Sequence, residues 1–360
     1  MPRPLLAIAC LAALLSACGS EQGAEGAPQG GEGEALGTDV SEAPVADTAL
    51  EEVSEDTAPE VDPGESLRVN HIQCKGTHNS THIEPEFAVP EWRYTHRPLY
   101  EQLDLHGVRQ LELDVHYDGE GGFDVFHLPR IDEETVCRRL FDCLSEIKRW
   151  SDEHPGHHLL FILVEPKDEL DFQTPIAGHY QELNEALLAV WPPERVLLPD
   201  DVRGGYSSLR EALEAEGWPT LAATRQMAMF IMLDSDAHRT AYLAEHPGLE
   251  GAVLFARGGV GEPWGSVVEG GSAEAKLSAA MAGYLVRGSA DSPEDSDEAN
   301  HAKAAAAMAS PAHFISSDAP YARDEGYWFD LLGGAPSRCN PVTAPPECRA
   351  EDIEALPLDQ

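Results

Sequence analysis

Sorted into apolar and polar positions, the chain shows short apolar runs separated by longer stretches of helical period. The runs are Asn70–Cys74, Val108–Val115, Phe123–Phe126, His158–Val164, Met227–Leu233, Ala252–Phe255, Gly283–Val286 and His313–Ile315. Compact apolar runs of this length are what strands covered on both faces require, so each predicts a strand of a parallel sheet. Leu99–His106, Thr135–Trp150, Gly178–Trp191 and Ala273–Met281 place apolar residues on one helical face and predict the intervening helices. Eight strands alternating with helices predict an α/β fold, a single (β/α)8 barrel. One link breaks the pattern. Runs two and three are joined by Tyr117-Asp-Gly-Glu-Gly-Gly122, too short for a helix, so the barrel is expected to be distorted there.

The pattern is absent from the first part of the chain. Residues 1–17 read as an export signal, with Arg3 followed by an apolar run from Leu5 to Leu15 that is too short to span a bilayer. Leu15-Ser-Ala-Cys18 followed by Gly19 resembles a bacterial lipoprotein signal, which implies cleavage before Cys18 and lipidation of its thiol. Gly19 in place of Asp at that position resembles outer-membrane sorting and suggests the outer membrane or cell surface as destination. Between Gly19 and Ser66 stand fourteen Asp or Glu, no Lys or Arg and no aromatic residue. Such a segment buries too little apolar surface to offset its ordering entropy, so residues 18–66 are expected to be a disordered acidic tether. The folded domain is then 67–360, with no second linker and with a monomer expected.

Charge narrows the function. The formal net charge is −40, which argues against nucleic acid as a partner, because phosphate contacts need a basic face. An exported chain favours disulfides, and the close pairs Cys137–Cys143 and Cys339–Cys348 are the natural candidates. Cys74 is then left as a buried thiol.

In a barrel of this kind the functional residues gather at the C-terminal ends of the strands, and polar residues stand at those positions. Thr77-His-Asn79 ends the first run, Glu112-Leu-Asp114 lies in the second, and His127 follows the third. Glu165-Pro-Lys167 ends the fourth, Arg257 and Arg287 follow the sixth and seventh, and Ser316-Ser-Asp318 the eighth. Glu112 and Asp114 are two apart and share one strand face, inward, because Leu111, Leu113 and Val115 occupy the other. Inward carboxylates repel unless neutralised. With Glu165 and the Asn79 amide they form an all-oxygen set suited to a hard cation, Ca2+ or Mg2+. The alternative is a buried salt-bridge network with Arg109, Arg257 or other bases. His78 and His127 flank this set and suit phosphoryl transfer, one protonating a leaving oxygen. His71 is expected to be structural, and His82 stands in the following loop without a task. His78 and His82 have a metalloprotease-like spacing, but no Glu follows His78 and the segment leaves a strand.

Taken together, "GTHNS", "VRQLELDVHYDGEGGFDVFHLPRID", "CLSEIKRWSDEHPGHHLLFILVEPKD", "FISSDAP" and "GGAPSRCNPVTAP" resemble the bacterial Ca2+-dependent phosphoinositide-specific phospholipase C family. The resemblance runs from about Asn70 to Ile353. It implies Ca2+ on Asn79, Glu112, Asp114 and Glu165, and His78 acting on the phosphorane-like transition state. It further implies Glu112 assisting deprotonation of the inositol hydroxyl and His127 protonating the departing diacylglycerol oxygen. Lys167, Arg257 and Arg287 are the bases that would contact phosphate or inositol. Leu128 follows His127 where the eukaryotic relatives carry Gly, which puts the shape of the pocket mouth in doubt. The competing readings are a glycerophosphodiester phosphodiesterase, which usually carries His-Arg-Gly and His-Asp where this chain has His78-Asn79 and His127-Leu128, a sphingomyelinase D-like lipase, and a non-catalytic lipid- or sugar-binding lipoprotein.

Overall fold

The computed structural model describes residues 62–168, 170, 172–233, 236–331 and 336–354. The signal segment, Cys18 and nearly all of the expected tether lie outside the described residues. Ahead of the expected boundary at 67, Asp62 pairs with Arg225 at 2.9 Å.

Among the described residues ten strands follow one another: β1 (Ile72–Thr77), β2 (Gln110–Tyr117), β3 (Phe123–Val125), β4 (Leu160–Pro166), β5 (Ala228–Met232), β6 (Leu254–Ala256), β7 (Val267–Glu269), β8 (Leu285–Ser289), β9 (Phe314–Ser317) and β10 (Ser337–Cys339). Eight of them form a parallel array in the order β6-β5-β4-β2-β1-β9-β8-β7. The two ends meet only through an isolated parallel bridge between Arg257 and Val267, which gives a nearly closed, distorted barrel.

Two strands lie outside this array and correct the reading of the sequence. The third apolar run is not a barrel strand: β3 folds back antiparallel on β2, with Tyr117 opposite Phe123 and Val115 opposite Val125. The position it vacates is taken by β7, whose three residues are too few to stand out as a run. β10 pairs antiparallel with the first half of β1, through Ile72–Cys339 and Cys74–Ser337. It occupies the edge that β2 does not reach, since β1 meets β2 only at Gly76–Gln110. The first strand also starts and ends later than its apolar run, because Val69–His71 forms a tight turn. The polar Lys75 and Thr77 continue the strand because each finds a partner, Asp330 for Lys75 and the buried Gln102 and Ser80 for Thr77.

The helices are α1 (Leu99–Asp104), α2 (Leu140–Glu153), α3 (Tyr180–Val190), α4 (Pro199–Arg203), α5 (Leu209–Ala215), α6 (Asp236–Glu245), α7 (Ala273–Met281) and α8 (Asp297–Ala309). α2 buries Leu140, Cys143, Leu144, Ile147 and Trp150, the spacing of a single helical face. It starts five residues later than the sequence suggests, because Arg139 is still extended and bridges Asp124. Cys137–Cys143 ties this approach to the first turn of α2, and Cys339–Cys348 ties β10 to the chain after it. Cys74 is free and buried.

Partners in a parallel register share a face, so the interior can be read directly. Gln110, Glu112 and Asp114 stand beside Phe161, Leu163 and Glu165. Lower in the interior the rings of Phe161 and Phe314 lie 5.1 Å apart, beside Gln110, whose Oε1 accepts from Ser316 Oγ at 2.6 Å. Acidic residues begin only at the mouth.

Candidate active site

The mouth is built around β2 and β4. Glu112, Asp114 and Glu165 bring carboxylate oxygens to within 4.8 Å of one another, and Glu112 and Asp114 are each 1 % exposed. Burial raises the pKa of both, most strongly for Asp114, against the pull of Arg287 on Glu112 and of Lys167 on Asp114. Burial also acts upward on Glu165, but Lys167 outweighs it and holds that carboxyl below its usual value. Basic groups therefore do partner this set. Arg287 binds Glu112, lies 2.9 Å from Glu269 Oε1, and donates to Ser316 Oγ at 2.9 Å. Lys167 Nζ is 2.8 Å from Glu165 Oε1 and 3.4 Å from Asp114 Oδ1. The bases are not the ones the salt-bridge alternative named first: Arg109 turns away from the mouth to Glu354, and Arg257 pairs with Glu269, 2.7 Å away. Asp114 Oδ1 is buried and makes no hydrogen bond.

The turn after β1 delivers two further groups. Asn79 sits at φ +40°, in a left-handed region that Asn tolerates better than most residues. Its Nδ2 donates to Tyr94 Oη at 3.1 Å, leaving the amide oxygen as a donor of lone pairs. The turn is locked onto β2, because Ser80 N donates to Glu112 O at 2.9 Å and Glu112 N donates to Ser80 Oγ at 2.7 Å. Three carboxylates and an amide oxygen fit a hard, oxygen-seeking divalent cation, and the buried Asp114 oxygen without a hydrogen bond is the atom such a cation would satisfy.

Two histidines flank the carboxylates, each held by an aspartate. His78 is 43 % exposed at the side chain; its Nδ1 lies 2.8 Å from Asp318 Oδ1 and its Nε2 4.0 Å from Glu112 Oε1. Desolvation acts to lower its pKa, but Asp318 and Glu112 outweigh it and raise the imidazole to about 10. Asp318 is oriented in turn by Asp291, whose Oδ1 accepts the Asp318 N–H at 2.8 Å. His96 Nε2 reaches the carbonyl of His78 at 2.8 Å.

His127 arrives by an unexpected route. β3 descends from beyond the mouth, and the bond from Phe126 N to Asp114 O, 3.1 Å, sets the chain at the level of the carboxylates just before His127. The hairpin that breaks the barrel's regularity is thus what carries this residue to the mouth. Its Nδ1 lies 2.7 Å from Asp132 Oδ2, and the ring meets the edge of Trp92 at 5.6 Å. Burial pushes the His127 imidazole down, partly opposed by Asp132.

The mouth therefore gathers His78, Asn79, Glu112, Asp114, His127, Glu165, Lys167 and Arg287, with Arg257 one carboxylate away. Asp132, Asp291, Glu269 and Tyr94 take part without having been singled out in the sequence. Only Asp132, five residues after His127, carries a local hint.

A parallel barrel whose mouth brings an all-oxygen ligand set beside two aspartate-held histidines has the groups that metal-assisted acid–base cleavage of a phosphodiester calls for. The profile of the family described as Ca2+-dependent phosphoinositide phospholipase C matches residues 67–124 and 120–341, and the chain belongs to that family. It is accordingly a Ca2+-dependent phospholipase C enzyme. No curated protein shows a sequence match. Among solved structures, the Ca2+-dependent phosphoinositol-specific phospholipase C of a Gram-negative Pseudomonas species, in its myo-inositol complex, superposes with a TM-score of 0.53. Identity is 18 %, over 78 % of this chain and 99 % of that one. The Ca2+-dependent phosphatidylinositol-specific enzyme of Streptomyces antibioticus gives 0.51 at 21 % identity, over 70 % and 95 % of the two chains. At these identities the likeness is one of fold.

Proposed function

We propose that the enzyme cleaves phosphatidylinositol-type lipids to diacylglycerol and a cyclic inositol phosphate, with acid–base work shared between Glu112 and His127. The observation that carries this reading is the convergence of three strand-exit carboxylates with the His78–Asp318 and His127–Asp132 pairs on one mouth. Ca2+ on Asn79, Glu112, Asp114 and Glu165 would supply positive charge beside the phosphate and make the attacking hydroxyl more acidic. Glu112 takes the proton of the inositol 2-hydroxyl, a role that suits a carboxyl whose pKa burial has raised. His78, kept protonated by Asp318, stabilises the charge that builds on the phosphorus oxygens. His127 gives a proton to the glycerol oxygen as it leaves. Lys167 and Arg257 contact phosphate or inositol. Arg287, already shared among Glu112, Glu269 and Ser316, acts through Glu112 instead.

Exposed apolar side chains on the mouth loops support a substrate presented at a lipid surface: Phe87 after β1, Ile131 after His127, Phe172 after β4 and Val260 after β6. No helix among the described residues is long and apolar enough to cross a membrane. Attachment through a lipidated Cys18, with export to the outer membrane or cell surface, is the reading that Leu15–Cys18 and Gly19 support. One chain carries the complete set of groups, which supports a monomer as the working unit.

The test is turnover of phosphatidylinositol with Ca2+ and with chelator, by wild type and His78→Ala. Ca2+-dependent release of cyclic inositol phosphate, lost in the variant, is the expected result. Cleavage of glycerophosphodiesters with phosphatidylinositol left intact would replace this reading with the glycerophosphodiesterase one.

A further inference from the structure

His82 has no place in the reaction as described, yet both of its ring nitrogens are partnered at the mouth. Its side chain is fully buried. Nδ1 lies 3.0 Å from the Tyr94 carbonyl oxygen, which can only accept, and Nε2 faces a carboxylate, so both ring nitrogens donate. Nε2 lies 3.0 Å from Asp132 Oδ2, the same oxygen that meets His127 Nδ1 at 2.7 Å. The Tyr94 ring packs on the His82 ring with centroids 4.3 Å apart, which fixes its plane. Asp132 is fully buried, and its other oxygen makes no hydrogen bond. The carboxylate that orients His127 is therefore itself held by the imidazole of His82 alone. A buried carboxylate stripped of a donor pays its desolvation cost and rotates or takes up a proton.

We propose that His82 is a positioning residue for the leaving-group step. By pinning Asp132 it fixes the ring of His127, so that Nε2 faces the glycerol oxygen. In that step the P–O bond breaks, its electron pair stays on the glycerol oxygen, and the His127 Nε2 proton passes to that oxygen. The inference rests on the reading of His127 as the acid.

Besides the His82 side chain, backbone bonds hold this turn. His82 N donates to Asn79 O at 2.9 Å, its carbonyl accepts from His96 N at 2.9 Å, and the two loops are further joined by Val136 N to Thr81 O at 2.8 Å. The turn that carries His78 and Asn79 should therefore survive a change at 82.

The experiment compares two soluble esters in the presence of Ca2+: a short-chain phosphatidylinositol below its micelle concentration, and a nitrophenyl inositol phosphate whose leaving oxygen needs no proton. Loss of general-acid assistance costs about 100-fold or more. His82→Ala is expected to lower kcat on the alkyl ester by about that factor, to leave kcat on the nitrophenyl ester within about threefold, and to leave both KM values unchanged. His82→Gln, which keeps a donor towards Asp132, should recover part of the alkyl activity. In a His127→Ala background, adding His82→Ala should cost nothing further. Equal loss on both esters, no loss on either, or additive losses in the double variant would overturn the positioning role. A wild-type enzyme that cleaves neither ester overturns the phospholipase reading and this inference with it.

Discussion

At the scale of single residues, the carboxylates of β2 were legible because the strand repeat is two. Glu112 and Asp114 alternate with Leu111, Leu113 and Val115, and only one assignment of faces leaves the leucines dry. Asp318 stood out as a strand-exit residue, but its pairing with a histidine was not legible. Asp318 is 240 residues from His78, and Asp291, just beyond β8, touches Asp318, just beyond β9. No local pattern encodes such pairs, since the hydrogen bonds exist only once the barrel closes. Removing one of them has a signed consequence. Asp318 raises the His78 pKa, so Asp318→Asn should move the alkaline limb of kcat to lower pH, by about one to three units. In the holoenzyme that limb starts below 10, because a cation on Glu112 withdraws part of the same support. A pH–rate profile of the two proteins checks this, and an unmoved limb would show that His78 does not act as an imidazolium.

At the scale of elements, long buried strands could be read and short or folded-back ones could not. β2, β4 and β5 are runs of five to eight residues buried on nearly every position. β7 offers only Val267 and Val268 before Glu269, too little to separate from a loop. β3 is apolar enough to pass for a barrel strand, and only its pairing direction shows otherwise. The weakest part of the barrel is the seam beside β7, where the ladder shrinks to one bridge. Glu269 compensates there, since it binds Arg257 from beyond β6 and Arg287 from β8. Charge-assisted hydrogen bonds of this kind contribute about 2 kcal/mol. Glu269→Gln should lower the unfolding free energy by about that amount, seen as a shifted urea midpoint with an unchanged slope. A wild-type midpoint would mean that the seam is held by packing alone.

For the whole molecule, the barrel floor is closed by the last described residue. Glu354 meets Arg109 through both carboxylate oxygens, at 2.6 and 2.8 Å, and Arg109 stacks on Trp150. Burial acts to raise the Glu354 pKa, but Arg109 outweighs it and carries the carboxyl to about 2. A folded-state value below the unfolded one stabilises the protein above the usual glutamate range, and that stability is lost as pH falls towards 2. Glu354→Gln should therefore be less stable by about 3 kcal/mol at neutral pH. The gap should close on acidification, which pH-dependent denaturant unfolding would register.

The central claim, that this mouth is a Ca2+-dependent phospholipase site built on the β2 and β4 carboxylates, concerns a single set of atoms, and Asp114 contributes a buried oxygen without a hydrogen bond. The most direct measurement is a Ca2+ titration of phosphatidylinositol cleavage by wild type and Asp114→Asn. The expected result is saturable activation of the wild type, abolished by chelator, with half-saturation in the variant moved to at least about tenfold higher Ca2+. Activity that survives chelation, or an Asp114→Asn curve that overlays the wild type, would contradict it.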